Sequence, residues 1–225
     1  MTAIYPRWQQ ESEKHWRAGD YAWMASHVRG RRVLEIGCGA GFGTLALAQA
    51  GCPVLVVEPD PACLDAATRR LAEAGLAAGV DWLAADVTGL DAAARATIGA
   101  FAPAVVACWM IGVRDDALDP TLPQHQAVQK ARERVQRAVA ELAAGLPSVG
   151  LVHLVDRTAF PWKIKDTARE TLVMIHAATT FAGLPFTCRH DDALYRKLDP
   201  LTWPEGMQRA AAGIVPVLGS LLARR

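Results

Sequence analysis

Short runs of apolar residues recur along the first two thirds of the chain, and longer segments with helical periodicity separate them. The runs are rich in Val, Leu and Ile and show little alternation of apolar and polar positions, as in strands that are buried on both faces of a sheet. They predict five strands, at residues 32–36, 53–58, 80–84, 104–108 and 150–155.

The segments between these runs carry the signals of helices. Helices are predicted at residues 44–50, 61–74, 124–144 and 167–182. Asp60 can cap the second of them and Pro61 suits its first position, so the start of this helix is well defined. A strand, a helix and another strand in succession imply right-handed crossovers, and therefore a parallel sheet with helices on both faces.

Both ends of the chain depart from this alternation. Residues 7–28 predict one or two amphipathic helices before the first strand, and residues 205–223 predict a final helix with one apolar face. Residues 186–198 predict a hairpin, because Asp191 and Asp192 favour a turn between two short extended pieces. The predicted fold class is therefore α/β: a doubly wound, mostly parallel sheet with a C-terminal antiparallel strand and helices on both faces.

The composition is that of an ordinary globular protein and narrows the function only a little. The chain of 225 residues is 52% hydrophobic and 21% charged, and its formal net charge of +1 argues against a dedicated nucleic-acid binder. Five cysteines without a C-x-x-C pair indicate neither a disulfide framework nor a zinc site, so we expect reduced thiols and no metal. Since neither a signal peptide nor a membrane span is evident, we expect a cytoplasmic protein without a membrane partner.

The stretch VLEIGCGAGFG, residues 33–43, carries the clearest functional signal. A buried strand that ends in glycines presents backbone N–H groups to a ligand, beside the N-terminus of the next helix. The dinucleotide pattern G-x-G-x-x-G fails, because its third glycine position falls on Phe42 or Thr44 in the two possible registers. The phosphate-binding loop fails too, since no Gly-Lys-Ser/Thr follows. The carboxylate of Glu35 would repel a pyrophosphate but suits a cationic ligand.

This E-x-G-x-G-x-G pattern resembles the first motif of the class I Rossmann-like methyltransferases, which use S-adenosylmethionine, a ligand with an ammonium and a sulfonium but no phosphate. Glu58 ends the second strand, where the family has a carboxylate that accepts both ribose hydroxyls. Asp86 follows the third strand, at the position of the family's adenine contact. The resemblance covers residues 32–157 and implies S-adenosyl-L-methionine as the cofactor. The cofactor-binding residues it implies are Glu35, Gly37, Cys38, Gly39, Gly41, Glu58, Pro59, Asp86, Val87, Cys108 and Trp109.

The same resemblance implies the family's seven-stranded sheet, in a single domain with three parts. Residues 1–30 would form an N-terminal helical lid, residues 31–200 the cofactor-binding methyltransferase core, and residues 201–225 a C-terminal helix packed on the core. Aromatic residues crowd the first part, and they either cover the bound cofactor and substrate or simply pack the helices onto the sheet. On the first interpretation, the substrate-binding residues are Tyr5, Trp16, Trp23 and Asp115.

Methyl transfer from a sulfonium is an in-line displacement, so correct orientation of donor and acceptor supplies much of the catalysis. A general base is needed only when the acceptor must lose a proton. Asp156 and His153 on the fifth strand are the candidates, although a lone strand histidine is more often a core residue. Asp115, Asp116 and His190 are further polar candidates.

The methyl acceptor is the least defined part of the prediction. The end of the fourth strand carries neither a D/N-P-P-Y motif nor a Pro-Cys pair, which disfavours the nucleobase and glutamine methylation that uses them. The predicted function is methylation of an O or N atom of a small-molecule metabolite, by a monomer or a homodimer. The open alternatives are a methyltransferase of RNA or protein, an aminopropyl transferase, and a non-catalytic partner subunit that only binds S-adenosylmethionine.

Overall fold

The computed structural model describes residues 4–113, 115–199 and 213–225. Within these residues the chain forms seven strands: β1 (Val33–Ile36), β2 (Val54–Glu58), β3 (Val80–Ala84), β4 (Val105–Trp109), β5 (Leu151–Pro161), β6 (Ala193–Lys197) and β7 (Ile214–Arg224). They make one sheet in the order β3-β2-β1-β4-β5-β7-β6. Strand β7 is antiparallel to both of its neighbours, and the other neighbouring strands are parallel.

Helices cover both faces of the sheet. They are α1 (Ile4–Arg17), α2 (Asp20–Ser26), α3 (Phe42–Gln49), α4 (Pro61–Glu73), α5 (Ala92–Phe101), α6 (Gln124–Ala144) and α7 (Lys165–Ala178). Helices α1 to α4 pack on what we call the first face, and α5 to α7 pack on the second face. Strand β1 serves both cores, since Val33 belongs to the first and Leu34 and Ile36 belong to the second. Among the described helices, none has both the length and the apolar character that a membrane crossing requires.

The five strands predicted for the parallel part are confirmed to within one residue at every end but one. Strand β5 continues to Pro161 and projects beyond β4, whose last residue, Trp109, pairs with Val155. The four predicted helices are confirmed, the one at residues 124–144 with the same bounds. Helix α5 is absent from the prediction, although Asp91 is a start signal that caps it by accepting the N–H of Ala94.

The predicted C-terminal helix is wrong where the structure describes it. Residues Ile214–Arg224 form β7, which pairs with β5 along its whole length and with β6 over residues 217–221. The run is almost entirely apolar, so its periodicity fits a helix as well as a strand buried on both faces, and long-range pairing decides. Pro216 lies just before the stretch that pairs on both sides, where its missing N–H costs least. Residues 201–212 of the predicted helical part lie outside the described residues.

The predicted hairpin at residues 186–198 is also wrong, although half of it is extended. Strand β6 pairs with β7 and not with the segment before it. The expected turn at His190–Asp192 is a single 3-10 turn, and Thr187 makes an isolated bridge with Arg224 of β7. The antiparallel strand of the sheet is therefore β7, which lies between β5 and β6 and pairs with both. With that exchange, the predicted fold class is confirmed.

The N-terminal helices α1 and α2 are bound to the core by apolar and charged contacts. Tyr21 and Met24 of α2 are buried in the first-face core. The carboxylate of Asp20, 1% exposed, accepts a hydrogen bond from Nε of Arg196 on β6 at 2.7 Å. Its other oxygen lies 2.7 Å from Nδ1 of His15. These contacts join both helices to β6, the strand at one edge of the sheet.

Candidate functional site

The parallel strands β1 to β5 bring their carboxyl ends to one edge of the sheet. Strands β2 and β3 extend to one side of β1, and β4 and β5 extend to the other, so the strand order reverses between β1 and β4. Ligands of open α/β sheets bind outside the carboxyl ends of the strands at such a switch point. The predicted cofactor-binding residues lie near the carboxyl ends of β1, β2, β3 and β4, and the structure brings them to this edge.

The glycines of the loop after β1 have different surroundings. Gly37, Gly39 and Gly41 have φ angles of +79°, +50° and +79°, in the left-handed region that favours glycine. A Cβ added at Gly37 would collide with the end of the Ile111 side chain, and one added at Gly41 would collide with Ala67 on α4. A Cβ added at Gly39 would meet no atom within 4 Å. Gly39 therefore faces open space, which is the side from which a ligand can approach the loop.

Glu58 at the end of β2 is bound to this open part of the loop. Its side chain is only 6% exposed, and Oε2 accepts the N–H of Gly39 at 3.3 Å while Oε1 accepts the N–H of Asp60 at 3.0 Å. Burial raises the pKa of Glu58, and the backbone donors of Asp60 and Gly39 act against that rise. Each carboxylate oxygen has a second lone pair, so Glu58 can still accept hydroxyl donors from a ligand.

Glu35 lies beneath the first turn of α3. Its carboxylate, 3% exposed, accepts the Thr44 hydroxyl at 2.6 Å, and a Cβ added at Gly43 would stand 2.6 Å from its other oxygen. Burial raises the pKa of Glu35 to about 8, while the Thr44 hydroxyl acts against the rise. The N-terminal end of α3 favours a negative charge at this place. A pKa of about 8 means that Glu35 changes between its neutral and ionised forms close to neutral pH.

The acidic residue that follows β3 is more exposed than Glu58. Asp86 caps a short turn, because its Oδ1 accepts the backbone N–H of Thr88 at 2.8 Å and its hydroxyl at 2.7 Å. Val87 is buried in the second-face core, whereas Pro59 lies exposed after Glu58. Asp86 therefore stands at the rim of the edge, and Glu58 stands inside it.

Neither cysteine of the predicted site is available as a thiolate. Cys38 is buried in the glycine loop, and burial raises the pKa of its thiol well above the usual range. Burial also raises the pKa of Cys108 to about 12, and this side chain packs in the second-face core. Within the part of the chain that the structure describes, no group of three His, Cys, Asp or Glu side chains is arranged to hold a metal ion.

Trp109 at the end of β4 belongs to a buried hydrogen-bond chain. Its Nε1 donates to Nδ1 of His153 on β5 at 3.1 Å, and Nε2 of His153 lies 2.8 Å from the hydroxyl of Ser220 on β7. Burial lowers the pKa of His153 to about 3, and the neighbouring His27 adds to that shift. Because both ring nitrogens are engaged and the ring is fully buried, this geometry argues against His153 as the general base.

Asp156 lies on β5 one residue past the end of β4 and is partly exposed. Its Oδ1 accepts the backbone N–H of Arg157 at 2.8 Å and lies 3.5 Å from Nη1 of Arg132 on α6. The carboxylate thus lies beside the Arg132 guanidinium, just past the end of β4. Of the two predicted bases, Asp156 is partly exposed and His153 is fully buried.

The N-terminal aromatic residues make different contacts. Trp16 packs on Phe42 at the start of α3, with ring centroids 5.6 Å apart. Trp23 meets the ring of His27 edge-on at 5.1 Å. These contacts are to the protein, so a role for either side chain in substrate binding stays a prediction. The predicted substrate-binding side chains of Tyr5 and Asp115 lie outside the described side chains.

The turn after β4 folds back across the glycine loop. Met110 has a φ angle of +48°, which is unusual for a residue with a side chain and is often found at functional sites. This turn brings Ile111 against Gly37, and it brings the backbone of Gly112 against the indole of Trp8 on α1. Helix α1 therefore reaches the same edge of the sheet as the glycine loop.

Three residues of this edge are absent from the predicted site: Thr44, Tyr21 and Ser220. A hydroxyl in the first turn of a helix next to a buried carboxylate is a usable signal, so Thr44 could have been found from the sequence. The other two depend on contacts between elements that are distant along the chain, for which a single sequence carries no local signal.

The middle of the chain matches a known protein family. The family model of the methyltransferase domain matches residues 33–120, which include β1 to β4 and the glycine loop. Cypemycin N-terminal methyltransferase from a Streptomyces species is 46% identical over 50 residues, a stretch that is 21% of this chain. That stretch spans only 20% of the relative.

Solved structures share the fold at low sequence identity. A candidate RNA methyltransferase from Pyrococcus horikoshii has a TM-score of 0.52 at 15% identity, with 93% of this chain and 81% of that chain covered. A geranyl diphosphate methyltransferase in complex with S-adenosylmethionine has a TM-score of 0.52 at 14% identity, with 92% and 84% covered. The similarity to these structures shows the fold alone. The match to the methyltransferase domain agrees with the resemblance that the motif at Glu35 indicates.

Proposed function

We propose that this chain, which belongs to the class I Rossmann-like methyltransferases and is an enzyme of that kind, moves a methyl group from S-adenosylmethionine to an O or N atom of a small molecule. The observation that carries the proposal is the pairing of Glu58 with Gly39. A buried carboxylate at the end of β2 is joined to the one glycine of the G-x-G-x-G motif that has open space above it. A carboxylate beside an accessible backbone suits the ribose of a nucleoside ligand, and Glu35 with the failed dinucleotide pattern argues against a pyrophosphate.

The residues present fit S-adenosylmethionine better than a dinucleotide. When bound, this cofactor supplies an electrophilic methyl group and a good leaving group. Glu58 would accept hydrogen bonds from the ribose hydroxyls, and Asp86 at the rim would meet the adenine. The remaining residues proposed for this site are Gly37, Cys38, Gly39, Gly41, Pro59, Val87, Cys108 and Trp109.

Glu35 would respond to the positive charge of the cofactor. Its raised pKa means that the carboxyl group holds a proton over part of the neutral range in the free protein. A cation nearby favours the ionised form of a carboxyl group. Binding of the cationic cofactor would therefore cause Glu35 to release its proton. Binding of a pyrophosphate would instead favour the protonated form of Glu35.

Asp156 is the proposed general base for an acceptor that must lose a proton. Its position on β5, one residue past the end of β4, and its partial exposure support the role, since a base has to reach the reacting atom. An acceptor that is already nucleophilic needs no base, and orientation then supplies most of the rate.

The sequence after β4 supports a small-molecule acceptor, because it lacks the motifs of common nucleobase and glutamine methylation. A second candidate is the amino group of a peptide. The observation that favours it is the 46% identity over 50 residues to a methyltransferase named for a peptide N-terminus. Transfer of label from tritiated S-adenosylmethionine into metabolite extracts, peptides with free N-termini or purified RNA would separate these acceptors.

The cofactor assignment is tested by thermal unfolding with S-adenosylmethionine, S-adenosylhomocysteine and NAD⁺. At 100 times the dissociation constant, a ligand raises the unfolding free energy by about 2.7 kcal/mol. For a chain of this size, that corresponds to a rise of roughly 5–11 °C in midpoint. We expect the rise with the first two ligands and not with NAD⁺. Equal midpoints with and without the first two ligands would disprove the assignment.

A further inference from the structure

A line of side chains runs across the first face of the sheet, over strands that are direct neighbours. It begins at Ser220 on β7, passes through His153 on β5 and reaches Trp109 on β4. The next strand, β1, carries Glu35. His153 and Ser220 are both 0% exposed, and Trp109 is 7% exposed, so the line is sealed from water.

The direction of the hydrogen bonds along this line follows from the chemistry of the groups. An indole N–H can only donate, so Nδ1 of His153 must accept from Trp109. The proton of the neutral imidazole is then on Nε2, which donates to the Ser220 hydroxyl. His153 is thus fixed as one tautomer, and the indole ring of Trp109 is fixed at its polar edge.

The opposite edge of the Trp109 indole faces the first turn of α3. A Cβ added at Gly43 would lie 3.6 Å from Cε3 of Trp109 and 3.7 Å from Cε1 of Tyr21. The same point lies 2.6 Å from a carboxylate oxygen of Glu35. Two aromatic rings and the carboxylate therefore meet at the first turn of α3. The indole therefore lies beside the helix turn that covers Glu35.

We propose that His153 and Ser220 are positioning residues of the methyl-transfer site, which hold the Trp109 indole against the first turn of α3, beside Glu35. This inference rests on the proposed function. A buried indole N–H needs an acceptor, and His153 provides it from the adjacent strand. Without this acceptor, the buried indole N–H would be left unpaired. The ring would then change its orientation and no longer pack against the first turn of α3 beside Glu35.

Two substitutions of His153 separate the two hydrogen bonds. The amide of His153→Asn lies near the place of Nδ1, so it can still accept from Trp109. The amide of His153→Gln lies near the place of Nε2, so it keeps the contact with Ser220 and leaves the indole without its acceptor. We expect the Asn variant to bind S-adenosylhomocysteine nearly as the wild type does, and the Gln variant to bind about tenfold more weakly.

The measurements are calorimetric titration with S-adenosylhomocysteine, thermal unfolding of each apo variant, and the NMR resonance of the Trp109 indole N–H, assigned with Trp109→Phe. The resonance should move in the Gln variant and stay in the Asn variant. Ser220→Ala should weaken binding less than the Gln variant does. The control is Thr180→Val on the second face, because Thr180 is also a buried hydroxyl bonded to a histidine, His176. It should lower the midpoint and leave the affinity unchanged.

The possible results distinguish this inference from the proposed function. If the wild type does not bind S-adenosylhomocysteine, the proposed function fails before any variant is compared. If the wild type binds and both His153 variants lose affinity equally, in step with their loss of stability, the positioning role is disproved. Weaker binding by the Asn variant than by the Gln variant would also disprove it.

Discussion

A carboxylate oxygen of Glu35 lies so close to the Cα of Gly43 that a Cβ added there would stand 2.6 Å from it. Gly43 is therefore needed for space, and not for its backbone freedom, since it lies in the first turn of α3 with no positive φ. Alanine normally stabilises a helix relative to glycine by about 1 kcal/mol. At this position, the crowding of Glu35 should reverse the sign.

We predict that Gly43→Ala lowers the free energy of unfolding by about 1–3 kcal/mol, the usual cost of overpacking. Urea unfolding of the apo protein measures the change. The matched control is Gly99→Ala in α5, where an added Cβ meets no atom within 4 Å and stability should rise. A shorter side chain in Glu35→Asp should recover part of the loss in the double variant. A Gly43→Ala protein as stable as the Gly99→Ala protein would contradict the prediction.

Glu58 is predicted to be the residue on which cofactor affinity depends most. Glu58→Gln keeps the size of the side chain but removes its charge and one acceptor oxygen. We expect binding of S-adenosylhomocysteine to weaken about ten- to a hundredfold, because hydrogen bonds to charged groups contribute about 1.5–3 kcal/mol. Calorimetric titration measures the affinity, and circular dichroism checks that the apo variant is folded. Asp65→Asn, at an exposed carboxylate on α4, is the control and should bind as the wild type does.

At the carboxyl edge of the sheet, the sequence predicts those strands and site residues that have a local sequence signal. The parallel strands appear as continuous Val, Leu and Ile runs because they are covered on both faces, and the glycines of the loop adopt the left-handed φ that only glycine adopts easily. Glu58 could be found because it ends such a run. Its hydrogen bond to Gly39, 19 residues away, could not.

Strand β7 and the contacts of His153 show why the remaining features of the fold and the site could not be predicted from the sequence. Residues Ile214–Arg224 have no periodicity that separates a helix from a buried strand, and their pairing with both β5 and β6 decides. His153 looks like a base in the sequence because histidine can be one. Its partners Trp109 and Ser220 are 44 and 67 residues away, and only the fold reveals that they occupy both nitrogens.

Asp156 is predicted to act on turnover and not on cofactor binding. With an acceptor that must lose a proton, Asp156→Asn should lower kcat about a hundredfold or more, as removal of a general base does. Affinity for S-adenosylhomocysteine should stay within error of the wild type. Asp166→Asn on α7, whose side chain is 65% exposed, is the control and should leave both quantities unchanged. An unchanged kcat for Asp156→Asn would remove Asp156 from the role of base.

The raised pKa of Glu35 predicts how stability depends on pH. The ordinary pKa of the group is 4.5 and the folded value is about 8, so between them the folded protein holds a proton that the unfolded chain has lost. The contribution of Glu35 to stability is therefore complete at low pH and decreases as the pH rises from about 4.5 through about 8, with a slope of up to about 1.4 kcal/mol per pH unit. Burial raises the pKa of Glu58 as well, so Glu58 acts in the same direction.

Glu35→Gln isolates the Glu35 contribution, because glutamine can still accept the Thr44 hydroxyl but does not titrate. We expect the unfolding free energy of the wild type to fall relative to that of Glu35→Gln between about pH 5 and about pH 8. Urea unfolding across this range measures the difference, and Asp65→Asn should follow the wild-type curve. Parallel curves for the wild type and Glu35→Gln would mean that Glu35 is already ionised in the folded protein. The cofactor would then meet a carboxylate that has no proton to release.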